Sequence, residues 1–244
     1  MEADRLYEEA FGPLRPPPAP MPLRGHFSTV LQSALSQLDV GNPEIVAHVV
    51  HASPEFATFY DGYPKSKVHV LVLPRLRING ARDLTREHLP MLRRLAAYTS
   101  WVINNLASQY PDLTWRHGVH ANPSLLQLHV HVLSQDFQSP CLKNKKHYNS
   151  FQPPFLVDLD SVMSSLEADG TAFGSVTHSK AEAWLKRDLV CGGCGAEFAN
   201  RFAELKRHLT GCQPAVSAPA PVRWRGSSGR CSAVGQEASE QLDQ

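Results

Sequence analysis

Nowhere in the 244 residues does an apolar run approach the roughly 20 needed to cross a bilayer. The opening Met1-Glu2-Ala3-Asp4 lacks the basic start of a secretory signal. Net charge is scarce as well, since 24 Lys and Arg against 23 Asp and Glu leave only +1, and bulk charge therefore names no partner. Cysteines number five, an odd count that argues against a fully paired disulfide framework. Three of them, Cys191, Cys194 and Cys212, crowd into one short segment. These absences predict a soluble intracellular chain whose thiols hold metal in a reducing compartment. A 42% apolar content over this length suffices for one substantial core plus a small module.

Charge is unevenly placed. Residues 65 to 94 carry Lys65, Lys67, Arg75, Arg77, Arg82, Arg86, Arg93 and Arg94 against Asp83 and Glu87, and Lys143, Lys145 and Lys146 follow without a nearby acid. A basic middle suggests a polyanionic partner, with an ordinary solvated face as the competing reading of the first cluster. Residues 1–22 hold Pro13, Pro16, Pro17, Pro18, Pro20 and Pro22 and read as an extended or disordered lead-in. Residues 214–244 run through Pro, Ala, Gly and Ser without apolar periodicity and read as a disordered tail. Arg223, Trp224, Arg225 and Arg230 in that tail offer nucleic-acid contacts, and Cys231 reads as a free thiol.

The most informative stretch runs from Leu126 to Phe137, where apolar and polar residues alternate. A strand would turn Gln127, His129 and His131 to one face and Leu128, Val130 and Val132 to the other. Same-face neighbours lie roughly 7 Å apart, so the row matches a phosphodiester and its flanking atoms. Imidazole serves such a site as nucleophile, proton donor or ligand. Taken alone, the pair also fits solvent-facing histidines or an adventitious metal site.

Around it, Ser28 is placed as the N-cap of a helix striped by Val30, Leu31, Ala34, Leu35 and Leu38. Strands are expected over Ile45–His51, Phe56–Tyr60, Lys67–Leu73 and Leu113–His120, with a long helix over Thr85–Leu106. His48 and His51 read as structural. Cys141 reads as a packing cysteine, a reactive thiol being the alternative. Cys191-Gly192-Gly193-Cys194, then His208 and Cys212, has zinc-finger spacing, with Phe198, Phe202 and Leu205 as its small core. The helix around Ala203–Leu209 would present Lys206 and Arg207 outward, toward DNA or simply toward solvent.

The motifs together resemble the histidine-triad nucleotide hydrolases and transferases, and within them the aprataxin family. The match is carried by Asp61-Gly62-Tyr63-Pro64-Lys65, His69 to Pro74, His120-Ala121-Asn122-Pro123-Ser124, the strand itself, and Ser139 to Phe151 followed by the finger. It extends from about Gly25 to Cys212. The resemblance implies an α+β histidine-triad fold, an antiparallel sheet with packed helices, plus a small C-terminal zinc finger. It also implies a DNA 5′-adenylate hydrolase that removes AMP from abortive ligation products at strand breaks. His129 would be the nucleophile, with His131, His120 and Gln127 around the phosphorus. Asp61 would hold the ribose, and Lys65, His69, Ser124 and Lys146 the phosphate. For His69, a purely structural role remains the alternative.

Gln127 departs from the family's first triad histidine and cannot carry a proton at neutral pH. Phe27 would stack on the terminal base pair, or else staple into the core. Lys143, Lys145, His147, Lys206 and Arg207 would contact DNA. Zinc is expected as a structural ion of the finger, with no metal expected in the chemical step. The partners implied are nicked or 5′-adenylated DNA, with AMP as product, no membrane, and a monomeric chain in the nucleus.

The expected organisation is a lead-in over 1–22, the histidine-triad domain over 23–155, a helical connector over 156–188, the finger over 189–213 and the tail. A phosphopeptide-binding domain precedes the catalytic one in many animal relatives, and the short lead-in leaves no room for it. A hydrolase of small adenylated nucleotides and a non-catalytic zinc-dependent DNA-end binder are the rival readings.

Overall fold

In the computed structural model, which describes Leu23 and residues 25–212, a six-stranded antiparallel sheet carries the molecule. The lead-in, the tail with Cys231, and the side chain of Phe27 lie outside the described residues. The strands are β1 (Val49–Ala52), β2 (Phe56–Tyr60), β3 (His69–Pro74), β4 (Trp115–His120), β5 (Val130–Ser134) and β6 (Leu156–Val157). Their order is β1-β2-β3-β5-β4-β6, so the two motif strands β3 and β5 lie side by side at the centre.

Pleating divides these strands into two faces. One displays Val70 and Val72 of β3 and Val130 and Val132 of β5, and packs on helix α3 (Leu89–Gln109) through Leu92, Leu95, Val102 and Leu106. The other displays His69, Leu71 and Leu73 opposite His131 and Leu133. Here Leu71 and Leu73 meet Leu31, Ala34 and Leu35 of helix α1 (Val30–Asp39), whereas Leu133 joins a separate cluster with Phe137, Leu142, Tyr148 and Phe151. The histidine face is therefore no solvent face. It is walled by apolar packing at both ends, and His131 is 4% exposed.

Several expected boundaries move for local reasons. A 3-10 turn over Phe27–Thr29 precedes α1, and Ser28 bonds His26 Nδ1 at 3.0 Å instead of capping the helix. Ile45 and Val46 belong to a short helix α2 (Pro43–Val46), because Asn42 accepts from the Glu44 amide at 2.9 Å and Pro43 occupies the first turn. The Ser139–Phe151 run is not a simple polar loop. It contains helix α4 (Lys145–Asn149), capped by Asn144, and buries Leu142, Tyr148 and Phe151. Two further helices, α5 (Leu159–Asp169) and α6 (His178–Lys186), begin at Asp158 and Thr177, each accepting a backbone N–H of its first turn. The finger is a hairpin of β7 (Leu189–Val190) and β8 (Glu197–Ala199) followed by helix α7 (Phe202–Gly211).

The first basic cluster is largely consumed by the fold. Arg75 pairs with Asp39, Arg93 with Glu167 and Arg94 with Glu55, while Arg82 and Arg86 donate to main-chain carbonyls. Of the two readings of that cluster, the geometry favours ordinary surface pairing over polyanion contact.

Gly118 of β4 illustrates how tightly the edge strand is seated, since a Cβ there would lie 2.6 Å from the Val157 carbonyl of β6. Gly118→Ala is expected to destabilise the protein by about 1–3 kcal/mol through overpacking. Urea unfolding checks this, with no loss of stability as the contrary result.

Candidate active site and metal centre

The register of three strands assembles the histidines. His131 lies opposite Leu71 and His69 opposite Leu133, so the two histidines are diagonal neighbours on one face, within reach of each other's rings. On the other side, Gly118 of β4 lies opposite His131. His120, two residues further on, thus shares the face, and its ring centre is 4.1 Å from that of His131. His129 stands just before β5, with its ring 4.8 Å from His131. A small pocket of about 10 Å³ is lined by Gly80, Ala81, His120, Pro123, Gln127 and His129.

Hydrogen bonds decide which nitrogen carries each proton. The Lys65 amide donates to His69 Nδ1 at 3.2 Å, so neutral His69 keeps its proton on Nε2. That Nε2 lies 3.0 Å from His131 Nδ1, which must accept, leaving His131 with a proton on Nε2. No protein group meets this N–H among the described residues. His129 Nδ1 lies 2.8 Å from the Gln127 carbonyl, an obligate acceptor. Its proton is therefore on Nδ1, and the lone pair of Nε2 is free to attack.

Burial is the largest cause of every pKa shift in this row. It lowers His69 to about 4, lowers His129, and takes His120 and His131 well below the ordinary imidazole value of 6.5. All four are neutral at pH 7. The 3.5 Å approach of Asp61 to His69 Nε2 is accordingly a polar contact and not an ion pair. Asp61 also accepts from the Tyr63 amide at 2.7 Å, and the half-buried Lys65, its pKa lowered by burial, turns its ammonium to the Tyr63 carbonyl.

Gln127 departs from the expected row. It lies before β5 with φ +87, outside the strand, and its amide nitrogen donates to the Pro74 and Leu76 carbonyls at 2.8 and 2.9 Å. Both amide hydrogens are spent on the main chain, so the side chain is a clamp, and it is the Gln127 carbonyl that meets a catalytic candidate.

The remaining candidates divide. Ser124 and Lys143 are exposed, and Lys146 lies 3.5 Å from Glu182 with most of its side chain in solvent. The His147 ring accepts from the Lys143 amide at 3.2 Å. Lys145 is corrected from a free cation to a tie, since it reaches Asp188 at 3.5 Å and bonds Asn200 of the finger. Lys206 does not face outward with Arg207. Its ammonium donates to the Ser139 and Leu142 carbonyls at 3.5 and 3.2 Å, holding α7 against the loop, while Arg207 is exposed. Sequence reasoning missed Phe151, whose ring stands 4.9–5.1 Å from those of His69, His120 and His131 and keeps water from them. Its place at the end of the Ser139 to Phe151 run was the available signal.

In the finger, ligand atoms of Cys191, Cys194, His208 and Cys212 lie within 4.8 Å of one another, a donor set that suits tetrahedral zinc. A bond from the Ala196 backbone is the first cause holding Cys194 down to about 7, whereas burial and then its neighbouring thiols push Cys212 up to about 12. Cys191, Leu205 and Leu209 share one apolar cluster with Tyr148 and Phe151, and the Gly192 amide donates to Tyr148 Oη at 2.9 Å. The metal centre and the histidine row thus rest on one core. Chelating the finger metal is expected to lower Tm by roughly 5–10 °C, read by calorimetry. An unchanged Tm would separate the finger from that core.

The buried histidines also set acid stability. His51 and His69 are both lowered to about 4 by burial, so the unfolded chain binds their protons first as pH falls below 6.5. Stability is complete above 6.5 and is lost on descending toward 4, by up to about 3 kcal/mol for the fully buried His69 and by less for His51. Denaturant midpoints at pH 7, 6 and 5 check this, and midpoints that stay level would refute it.

A family model described as "Scavenger mRNA decapping enzyme C-term binding" matches residues 38–147, and one described as "C2HE / C2H2 / C2HC zinc-binding finger" matches residues 152–213. Aprataxin of Danio rerio is 37% identical over 188 residues, covering 76% of this chain and 53% of that protein. The aprataxin-like protein of Schizosaccharomyces pombe is 30% identical over 186 residues, covering 70% of this chain and 76% of that protein. A crystal structure of an aprataxin ortholog in complex with DNA matches with a TM-score of 0.59 at 26% identity, over 73% of this chain and 90% of that one. The ortholog from Schizosaccharomyces pombe matches with a TM-score of 0.56 at 27% identity, over 77% and 93%. The chain spans about half the length of the animal aprataxins it matches. With the histidine row on the sheet and a four-ligand finger behind it, the chain belongs to the aprataxin family of histidine-triad proteins.

Proposed function

We propose that this protein is a DNA 5′-adenylate hydrolase, which removes AMP from abortive ligation intermediates and restores a 5′-phosphate end. The observation that carries the reading is the 2.8 Å bond from His129 Nδ1 to the Gln127 carbonyl, which leaves a neutral Nε2 as nucleophile in a buried site. His129 attacks the AMP phosphorus in line, the bond to the DNA phosphate breaks, and water then releases AMP from the adenylyl-histidine. The His131 Nε2–H donates to a phosphoryl oxygen where charge develops. His120, neutral in the free protein, gains a proton once the phosphates arrive beside it and assists the leaving DNA phosphate. Asp61 takes the ribose hydroxyls, and Lys65, Ser124 and Lys146 complete the phosphate contacts.

Gln127 does not weaken this reading, because its amide holds the main chain that orients the nucleophile. The family relation to an ortholog crystallised with DNA supports a DNA substrate over a small nucleotide. Lys143, His147 and Arg207 form the DNA-facing set, with Phe27 on the terminal base pair. Zinc serves the finger structurally. A monomer acting in the nucleus completes the proposal.

AMP release from a nicked duplex bearing a 5′-adenylate tests the chemistry. His129→Ala is expected to lower turnover at least roughly a thousandfold with DNA affinity retained. Full turnover in that variant would sink the mechanism, and cleavage confined to small adenylates would sink the substrate. In binding titrations against salt, Lys143→Ala and Arg207→Ala should each lower the slope by about one. Lys145→Ala and Lys206→Ala should instead lower thermal stability, and the reverse pattern would refute the division of lysines drawn here.

A further inference from the structure

We infer that Asp61, His69 and His131 form a second metal site, distinct from the finger, which takes a divalent ion such as Zn²⁺ or Co²⁺ and excludes nucleotide while occupied. The ligand atoms lie within 4.8 Å of one another. His69 Nε2 is 3.0 Å from His131 Nδ1 and 3.5 Å from Asp61 Oδ2. Tetrahedral zinc, with bonds of about 2.0–2.1 Å, holds its donors roughly 3.3 Å apart, and the His69–His131 and His69–Asp61 pairs lie close to that spacing. Two imidazoles and a carboxylate are a donor set for borderline divalent ions, and a solvent molecule or phosphate oxygen supplies the fourth position.

Proton placement shows what loading costs. A metal on His69 Nε2 displaces the proton that this nitrogen shares with His131, and neutral His69 must then carry it on Nδ1. There it faces the Lys65 amide, so the 3.2 Å bond between them is lost. Loading therefore costs two hydrogen bonds, this one and the one from His69 Nε2 to His131 Nδ1, against which three metal–ligand bonds are gained. His131 already accepts through Nδ1 and needs no rearrangement. Asp61, whose side chain is 16% exposed, gives the ion its way in, whereas His69 is closed to solvent.

The consequence for activity rests on the proposed hydrolase reading. Asp61 cannot hold the ribose while its carboxylate binds metal, and the Asp61 to Lys65 turn is pulled from its phosphate-facing position. Free zinc would then inhibit in competition with the adenylated end, while zinc in the finger stays in place.

The test uses the whole chain with zinc in its finger and Co²⁺ as the probe. Zinc outcompetes cobalt at a thiolate site, so any cobalt spectrum reports the second site. One cobalt per chain is expected, with visible bands and no thiolate-to-metal charge transfer, and at least tenfold weaker binding in both His69→Gln and Asp61→Asn. Should His69→Gln fail to fold, Asp61→Asn at the partly exposed position decides alone, with calorimetry confirming that it is folded. No bound cobalt, or binding undiminished by Asp61→Asn, overturns the proposal. Cobalt counting needs no substrate. A protein that binds cobalt as expected yet releases no AMP even before cobalt is added would refute the hydrolase reading and leave the metal site standing.

Discussion

The 3.0 Å contact between His69 Nε2 and His131 Nδ1 joins the two central strands and fixes the tautomers of both rings. The amide proton of Lys65 fixes the tautomer of His69 and, through it, that of His131, while the Gln127 carbonyl fixes His129. The arrangement depends on dryness. Were the row wetted, the imidazoles would titrate near their ordinary value and exchange tautomers with solvent. Two apolar elements prevent this: the α1 cluster at one end, and at the other the Tyr148 and Phe151 cluster, whose Phe151 ring stands against three of the histidines.

That arrangement explains why the finger is not an appendage. Its buried Cys191, Leu205 and Leu209 complete the same cluster that supplies Phe151. Lys206 and Lys145 span the junction, one to loop carbonyls and the other to Asn200 and Asp188. A knuckle with four potential metal ligands thereby supports the wall of the neutral histidine row. The close seating of Gly192, where a Cβ would run into Gln152, belongs to the same junction. Cationic side chains used in this way are lost to any anionic partner, and the remaining exposed set is correspondingly small.

Much of this was legible in residue order. The strand period exposed His129 and His131 as a row and placed Val130 and Val132 against the helix core. Cys191, Cys194, His208 and Cys212 announced their convergence by spacing, and the apolar stripe of α1 identified its buried face. What misled was continuity of pattern. The alternation from Leu126 onward extends the strand through Gln127, yet φ +87 there and two carbonyl acceptors turn the chain out of the sheet. The lysines misled for a related reason, because a sequence records charge and not the carbonyl or carboxylate that meets it.

Alone, the sequence determined the faces of the strands, the finger's ligand set and the family, since each follows from spacing along a chain whose local geometry has fixed periods. Tertiary structure decided the chemistry of the row. Which nitrogen of His129 is free depends on a carbonyl two residues away in an unusual backbone turn, and which nitrogen of His131 donates depends on His69, 62 residues distant. Whether these rings are neutral depends on Phe151 and on a finger that folds after them in the sequence. Protonation answers to burial and to hydrogen-bond partners in space, and residue order specifies those only once the chain has closed on itself.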